Sequence, residues 1–356
     1  MVKQYPCVEI DLNKITHNTK KIVSMCKERG IDIAAVTKVF CAKKPIVEAI
    51  LDGGVDIVAD SRIENLEKVQ DLKCKKLLLR IPMISDAENV VKFADISLNS
   101  ELDTIRKLAE ACEKQNKKHS VILMIDLGDL REGVLEESAI ETIKNIIEIQ
   151  NIELIGVGTN LTCYGGVIPD ETNLGRLVEI KEAAEKEFGI KLPIVSGGNS
   201  SSLYMVINKT MIEGINLLRI GEAIVLGRET AYGEDVPGCF KDCFTLKGEI
   251  VELKEKPSVP IGNIGMDAFG QKPTFEDREI IKRAIVAVGR QDVNIGGLTP
   301  IDSEINMLGG SSDHLLLDVT NCSKQYKVGD IVDFNIDYGC LLMSMTSPYV
   351  KDYYIK

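Results

Sequence analysis

Eight short apolar runs, each separated from the next by a helical pattern, constrain this chain more than any other feature. The runs are IDIAAVT (31–37), VDIVAD (55–60), KLLLR (76–80), ADISLN (94–99), SVILMID (120–126), LIGVGTNL (154–161), LPIVSGG (192–198) and NLLRIG (216–221). Uninterrupted apolar runs of this length read as strands buried on both faces. Between them lie segments with apolar residues three and four apart, such as RIENLEKVQDL (62–72), ELDTIRKLAEACEK (101–114) and ETNLGRLVEIKEAAEKEFG (171–189). Strands and helices in strict alternation build a parallel sheet, either an open doubly wound sheet or a closed (β/α)8 barrel. A barrel closes at eight strands and needs roughly 200–250 residues. The eighth run ends near Gly227, so the fold class expected is α/β, a TIM-like (β/α)8 barrel.

The texture changes near Tyr232. Helical periodicity gives way to strand-like runs (CFTLKGEIVELKE, IKRAIVAVG, HLLLDVT, IVDFNIDYG) split by glycine and proline clusters. The expected domains are 1–232, the barrel, and 233–356, a β-rich C-terminal domain, with residues 5–12 able to pair with the latter. VEIDLNKITHNTKKIVSMCKER (8–29) reads as a strand, the N-cap Asp11, and an amphipathic helix on Leu12, Ile15, Ile22, Val23 and Cys26.

Composition narrows the function classes. A net charge of −11 lacks the basic excess that phosphate backbones require, so nucleic acid is not an expected partner. No apolar run approaches ~18 residues, so no membrane span is expected, and the N-terminus has no signal-like apolar stretch. Ten scattered cysteines without a CxxC pair read as free thiols in a reducing cytoplasm. The three histidines, His17, His119 and His314, are well separated in sequence and suggest no histidine-rich zinc site, so no metal is assigned.

Barrel chemistry sits at the C-terminal ends of strands. Those ends carry Lys38, Asp60 and Ser61, Arg80, Asn99, Asp126 with Arg131 following, Thr159 and Asn160, Ser196 to Ser202, and Arg219 to Glu222. Lys38 alone is either a strand-end lysine reaching solvent or a reactive amine. SGGNSSS (196–202) is either a serine-capped turn or a cradle for an anion, and Arg219 in RIGEA either an ion pair or part of that cradle. Both fall after strands seven and eight, where barrels often bind phosphate. A lysine facing a phosphate site suggests pyridoxal 5'-phosphate, whose aldehyde condenses with an amine.

At this point the motifs converge on a family. VEIDLNKITHN, AAVTK, IDLGDLREG, GVGTNLTCYGG, SGGNSSS, LLRIGEAIVLGRETAYGED, SSDHLLLDVT and DYGCLL follow one another in the order of the alanine racemase superfamily, fold type III of the pyridoxal-phosphate enzymes, which the chain resembles over nearly its whole length. LGRETAYGED and GNIGMDAFG resemble its ornithine racemase branch. The resemblance implies an amino-acid racemase interconverting L- and D-ornithine by a two-base proton transfer at Cα. The same-class rivals are alanine, lysine and serine racemases. A lyase of the same fold type and a non-catalytic cofactor carrier are the rivals from other classes.

The resemblance also implies roles. Lys38 forms the internal aldimine and acts as one base. Arg219 donates to the pyridine nitrogen. Ser200, with the amides of Gly221 and Glu222 and with Tyr338, holds the phosphate, the Glu222 carboxylate pointing away from it. Arg131 lies near the phenolic oxygen, and Asn160 replaces a ring-stacking histidine. Met124 stands where some relatives carry a carbamylated lysine. The family's second base is a tyrosine reaching in from a partner subunit, so a homodimer with shared sites is implied. Here PIGNIGMDAFG has no tyrosine. Asp267 is the nearest ionisable group there, either a turn aspartate or the second base; Tyr338, Cys163 and Asp313 are lesser candidates. Asp267 or Asp313 could instead receive the distal ammonium of ornithine. Ser312 replaces a methionine before Asp313, on the substrate side.

Overall fold

The computed structural model describes residues 3–267 and 269–356. The chain divides into two compact units, Leu12–Lys241 and a second that joins β1 (Cys7–Asp11) to Asp242–Lys356.

In the first unit the eight apolar runs all become parallel strands: β2 (Asp32–Val36), β3 (Ile57–Asp60), β4 (Lys75–Leu78), β5 (Ile96–Asn99), β6 (His119–Asp126), β8 (Ile152–Gly158), β9 (Ile194–Ser196) and β10 (Leu217–Ile220). They pair in the order β5-β4-β3-β2-β10-β9-β8-β6, and β5 pairs with β6, which closes the barrel. A two-residue strand, β7 (Val134–Leu135), adds to the end of β6. Closure leaves the eight-stranded barrel no open edge. Ala34, Ala59, Leu77, Ile96, Leu98, Ile122, Met124 and Leu217 form one buried cluster. The two small members, Ala34 and Ala59, lie on the neighbouring strands β2 and β3, and larger side chains from β4, β5, β6 and β10 fill the rest. Met124 is part of that packing.

Helices follow the strands. The first, Leu12–Lys27, buries Leu12, Ile15, Ile22, Val23 and Cys26, the face its periodicity marks. The long helix Glu171–Phe188 starts at Asp170, whose side chain and that of Asn173 form a reciprocal capping box.

The barrel unit continues past 232, to Lys241. One hold on this segment is Asn18, fully buried in the first helix. Asn18 Nδ2 donates to Ile224 O (3.0 Å) and Phe240 O (2.8 Å), and Asn18 Oδ1 accepts from the Phe240 N–H (2.7 Å). The His17 ring packs edge-on against Phe240 at 4.9 Å.

The second unit is an eight-stranded sheet containing β11 (Phe244–Pro257), β12 (Ile280–Val286), β13 (Leu298–Pro300), β14 (Asn306–Gly310), β15 (Leu315–Asp318), β16 (Ile331–Ile336) and β17 (Lys351–Ile355) in the order β13-β16-β11-β12-β15-β14. β1 pairs antiparallel with β11 and parallel with β17. Phe244, Leu246 and Ile250 alternate into its core with Ala284, Val286, Leu315, Leu317, Val332 and Phe334. Among the described residues no helix is long and apolar enough to cross a membrane, and the ten cysteines form no disulfide.

Candidate active site

Strand β2 ends at Val36, and Lys38 opens a short 3-10 turn, Lys38–Phe40, with its side chain exposed. The residue before it is fully buried. Thr37 donates its N–H to Ala59 O (2.8 Å) and its hydroxyl to Asp60 Oδ2 (2.6 Å). Asp60, also fully buried, accepts at Oδ1 from the Arg62 N–H (2.9 Å) and Asn65 Nδ2 (3.0 Å). Burial raises the Asp60 pKa, although bonds from Thr37, Asn65 and the Arg62 amide pull the other way. Lys68 Nζ bridges Asn65 Oδ1 (2.7 Å) and Cys41 O (3.1 Å), at the far end of the Lys38 turn.

Arg219, on β10, lies inside the barrel mouth with 4% of its surface exposed. Nη1 donates to Ser196 Oγ; Nη2 donates to Thr159 O (2.7 Å) and Asn160 Oδ1 (3.2 Å). Burial pushes its pKa down to about 10, with Glu132 and Cys163 opposing and Arg131 assisting. A guanidinium at that value remains a cation at neutral pH. The three bonds occupy three of its five N–H donors.

Asn160 Oδ1 also accepts from Asn199 Nδ2 (2.9 Å), while Asn160 Nδ2 is buried with no protein partner. Thr159 Oγ1 and Ser201 Oγ share that condition. Ser200 Oγ accepts long bonds from the amides of Gly221 (3.3 Å) and Ala223 (3.4 Å), which leaves its own proton to donate elsewhere. The Glu222 carboxylate is drawn to Arg228, whose Nε (2.8 Å) and Nη2 (2.7 Å) bind Oε1. Its negative charge is thereby partnered by Arg228.

Two loops complete the mouth. In the loop after β6, Arg131 forms a two-pronged ion pair with its neighbour Glu132. Gly133 (φ +139°) returns this loop to β6: a Cβ there would stand 2.4 Å from the Asp126 N atom. Asp129, almost fully buried, accepts at its carboxylate from the amides of Thr162 (3.1 Å), Cys163 (3.3 Å), Tyr164 (3.0 Å) and Val167 (3.2 Å). It thus ties the loop after β6 to the loop after β8.

In the β unit, Arg290 gathers the other candidates. Its guanidinium stacks on Phe269 at 4.8 Å and its Nε donates to Gly310 O (3.1 Å). Next to it, Gln291 N–H donates to Ser312 O (3.0 Å) and Gln291 Nε2 to Asp313 Oδ1 (2.7 Å). Asp267 closes an exposed turn, its Oδ1 accepting from Phe269 N–H (2.9 Å) and Gln271 N–H (2.8 Å). Those amide bonds, that of Gln271 first, hold its carboxyl below the usual range. Tyr338 starts the helix Tyr338–Thr346, capped by Asp337, whose Oδ1 accepts from Cys340 N–H (2.7 Å).

The barrel unit therefore brings Lys38, Arg131, Asn160, Ser200, Arg219, Gly221 and Glu222 to the C-terminal ends of its strands, and the β unit collects Asp267, Ser312 and Asp313 around Arg290 and Gln291. Sequence reasoning left Thr37, Asn199, Asp129 and Glu132 unassigned. Asn199 and Glu132 lay inside motifs already singled out, and Thr37 adjoins Lys38, so adjacency was the available signal.

A family profile described as "Alanine racemase, N-terminal domain" matches residues 10–229, well over half of the chain. The chain is 55% identical over 348 residues to an ornithine racemase of Acetoanaerobium sticklandii, covering 98% of this chain and 99% of that protein. It is 42% identical over 352 residues to a lysine racemase of Thermotoga maritima, covering 98% of each. Among solved structures, an alanine racemase from Bartonella henselae with covalently bound pyridoxal phosphate shares the fold, with a TM-score of 0.74 at 18% identity, over 99% of this chain and 100% of that one. On the extent of the profile match and these full-length relatives, the chain belongs to the alanine racemase family.

Proposed function

We propose that this protein is a pyridoxal-phosphate-dependent amino-acid racemase that interconverts L- and D-ornithine by a two-base proton transfer at Cα. The observation that carries the reading is the 55% identity to an ornithine racemase across 98% of the chain. The 42% identity to a lysine racemase makes lysine the second substrate to test, since both amino acids end in a distal ammonium.

The residues at the barrel mouth fit the cofactor. Asn160 Nδ2, Thr159 Oγ1 and Ser201 Oγ are buried polar atoms without protein partners. Such groups are costly unless a polar ligand satisfies them. Arg219 keeps N–H donors beyond the three used, and Ser200 keeps its hydroxyl proton. When bound, pyridoxal phosphate supplies an electron sink that makes the substrate Cα–H acidic.

Lys38 Nζ provides the primary amine for attachment and holds one proton on one face of Cα. Ser200, with the amides of Gly221 and Glu222 and with Tyr338, binds the phosphate, while Arg228 keeps the Glu222 carboxylate from repelling it. Arg219 would hold the ring nitrogen through an N–H donor and would retain its own proton. Arg131 and the Asn160 amide would help to hold the cofactor ring. Asp267 takes the second-base role. A carboxyl held low by two amides is a weak base, so this role requires those bonds to be exchanged as substrate is seated. Ser312 and Asp313 are assigned to the substrate side chain, with Asp313 to receive the distal ammonium. We place the enzyme in the cytoplasm as a homodimer with shared sites.

Solvent deuterium exchange at Cα, measured for ornithine, lysine and alanine with the purified cofactor-loaded protein, tests the reading. Ornithine should exchange fastest. No exchange with any of the three, or no uptake of pyridoxal phosphate, would sink it. Asp267→Asn should abolish racemisation with the cofactor still bound; near-normal turnover removes Asp267 from the mechanism.

A further inference from the structure

We propose that Thr37 and Asp60 form a clasp that sets the position of Lys38, making both positioning residues for the reacting amine. The proposal rests on the reading above for the identity of the cofactor; the clasp itself is read from the geometry around the Lys38 turn.

Every polar group of Thr37 is engaged. Its N–H binds Ala59 O, its hydroxyl binds Asp60 Oδ2 at 2.6 Å, and its carbonyl accepts from the Phe40 (3.2 Å) and Ala42 (3.3 Å) amides. The residue preceding Lys38 is thus fixed to strand β3 through both main chain and side chain. Beyond Lys38 the turn is held again, by Lys68 Nζ on Cys41 O. At and just past the second anchor the backbone takes a form it would not choose. Cys41 (φ +55°) and Ala42 (φ +49°) are consecutive left-handed residues, and neither is glycine. Such strain persists only where surrounding contacts over-determine it. Here the contacts run in a continuous path: Thr37, Asp60, Asn65, Lys68, Cys41.

A bland reading makes Asp60 a cap for the helix Ile63–Lys68. It accounts for one oxygen. Oδ1 accepts from the Arg62 N–H and Asn65 Nδ2, while the Oδ2 bond goes to Thr37. The second oxygen serves the lysine turn. A reacting amine needs placement to within about 0.5 Å, so such a support bears directly on its rate.

Thr37→Val keeps the side-chain shape and removes the hydroxyl; Thr37→Ser keeps the hydroxyl. The apo-proteins are mixed with pyridoxal phosphate, quenched with borohydride at intervals, and mapped by peptide mass at Lys38. Attachment should be at least ~10-fold slower in Thr37→Val and within about threefold of wild type in Thr37→Ser, with kcat reduced more than KM is raised. Attachment at the wild-type rate in Thr37→Val overturns the clasp, as does equal slowing in Thr37→Ser, which would assign the effect to the methyl group. If Thr37→Val fails to fold, Asp60→Asn, of equal volume, takes its place: slow attachment supports the clasp and a wild-type rate overturns it. Labelling of Lys38 by trinitrobenzenesulfonate in the apo-proteins separates this proposal from the cofactor reading. A wild-type protein that takes up no pyridoxal phosphate refutes that reading. A Lys38 labelling rate unchanged by Thr37→Val refutes the clasp.

Discussion

Acidification should weaken the barrel through His119. This residue opens β6, is 2% exposed, and lies with Nε2 2.8 Å from Ser97 Oγ. Ser97 in turn accepts from Asn99 Nδ2 at 2.9 Å. Burial lowers the His119 pKa from 6.5 to about 4, with Asp95 opposing. The folded barrel therefore binds this proton only below about pH 4, whereas an unfolded chain binds it below 6.5. As pH falls through that window the unfolded state holds one more proton, and stability drops by ~1.4 kcal/mol per pH unit. The loss attributable to His119 totals roughly 3 kcal/mol and ends near pH 4. Above pH 6.5 both states are neutral here, so the full stability is present. Because the chain has two compact units, one global unfolding free energy is the wrong quantity. Hydrogen exchange of peptides from β5 and β6, followed from pH 7 to pH 4 after correction for intrinsic rates, reads the barrel itself. His119→Gln removes the titration, so its profile should be flatter over this window. Parallel profiles for the two proteins, or a native His119 that protonates near pH 6 by NMR, would refute the reasoning.

Two further outcomes follow from single contacts. Asp129→Ala removes the acceptor of four loop amides, bonds worth ~1.5–3 kcal/mol each when one partner is charged. Exchange at Thr162, Cys163, Tyr164 and Val167 should quicken at least ~100-fold while the barrel strands keep their protection; unchanged protection of the loop would refute the tie. Gly156→Ala would place a Cβ 2.1 Å from Ile194 O in the adjacent strand, so the backbone must part. A loss of ~1–3 kcal/mol is expected, seen as a melting temperature lower by several degrees, and an unchanged value would show the strands to be freer than the packing implies.

The barrel was legible because each strand is buried on both faces and so leaves an apolar run with no competing periodicity. The placement of Lys38, Asn160, Ser200 and Arg219 was legible, because each ends a strand or begins the loop after one. What sequence could not supply were contacts that depend on three-dimensional closure. Asn18 holds Phe240 from 222 residues away, one of the contacts that join the segment before Lys241 to the barrel unit. Arg131 and Glu132 are adjacent, and adjacent side chains diverge in regular structure, so their pairing depends on the loop bend at Gly133. Asp267 reads from sequence as either a turn residue or a base. The turn itself, two amides on one carboxylate oxygen, became visible only with the backbone folded.

The pairing of β1 has a consequence for how the protein is made. Cys7 lies beside both Lys247 and Lys351, so β1 waits for partners produced long after it. The barrel, Leu12–Lys241, is a continuous stretch and can mature on the ribosome while the remainder is still being translated. Until β11 and β17 emerge, β1 presents two unpaired edges, a temporary hazard for aberrant association. Translation speed after residue 241 should therefore govern the yield of correctly assembled protein more than speed before it.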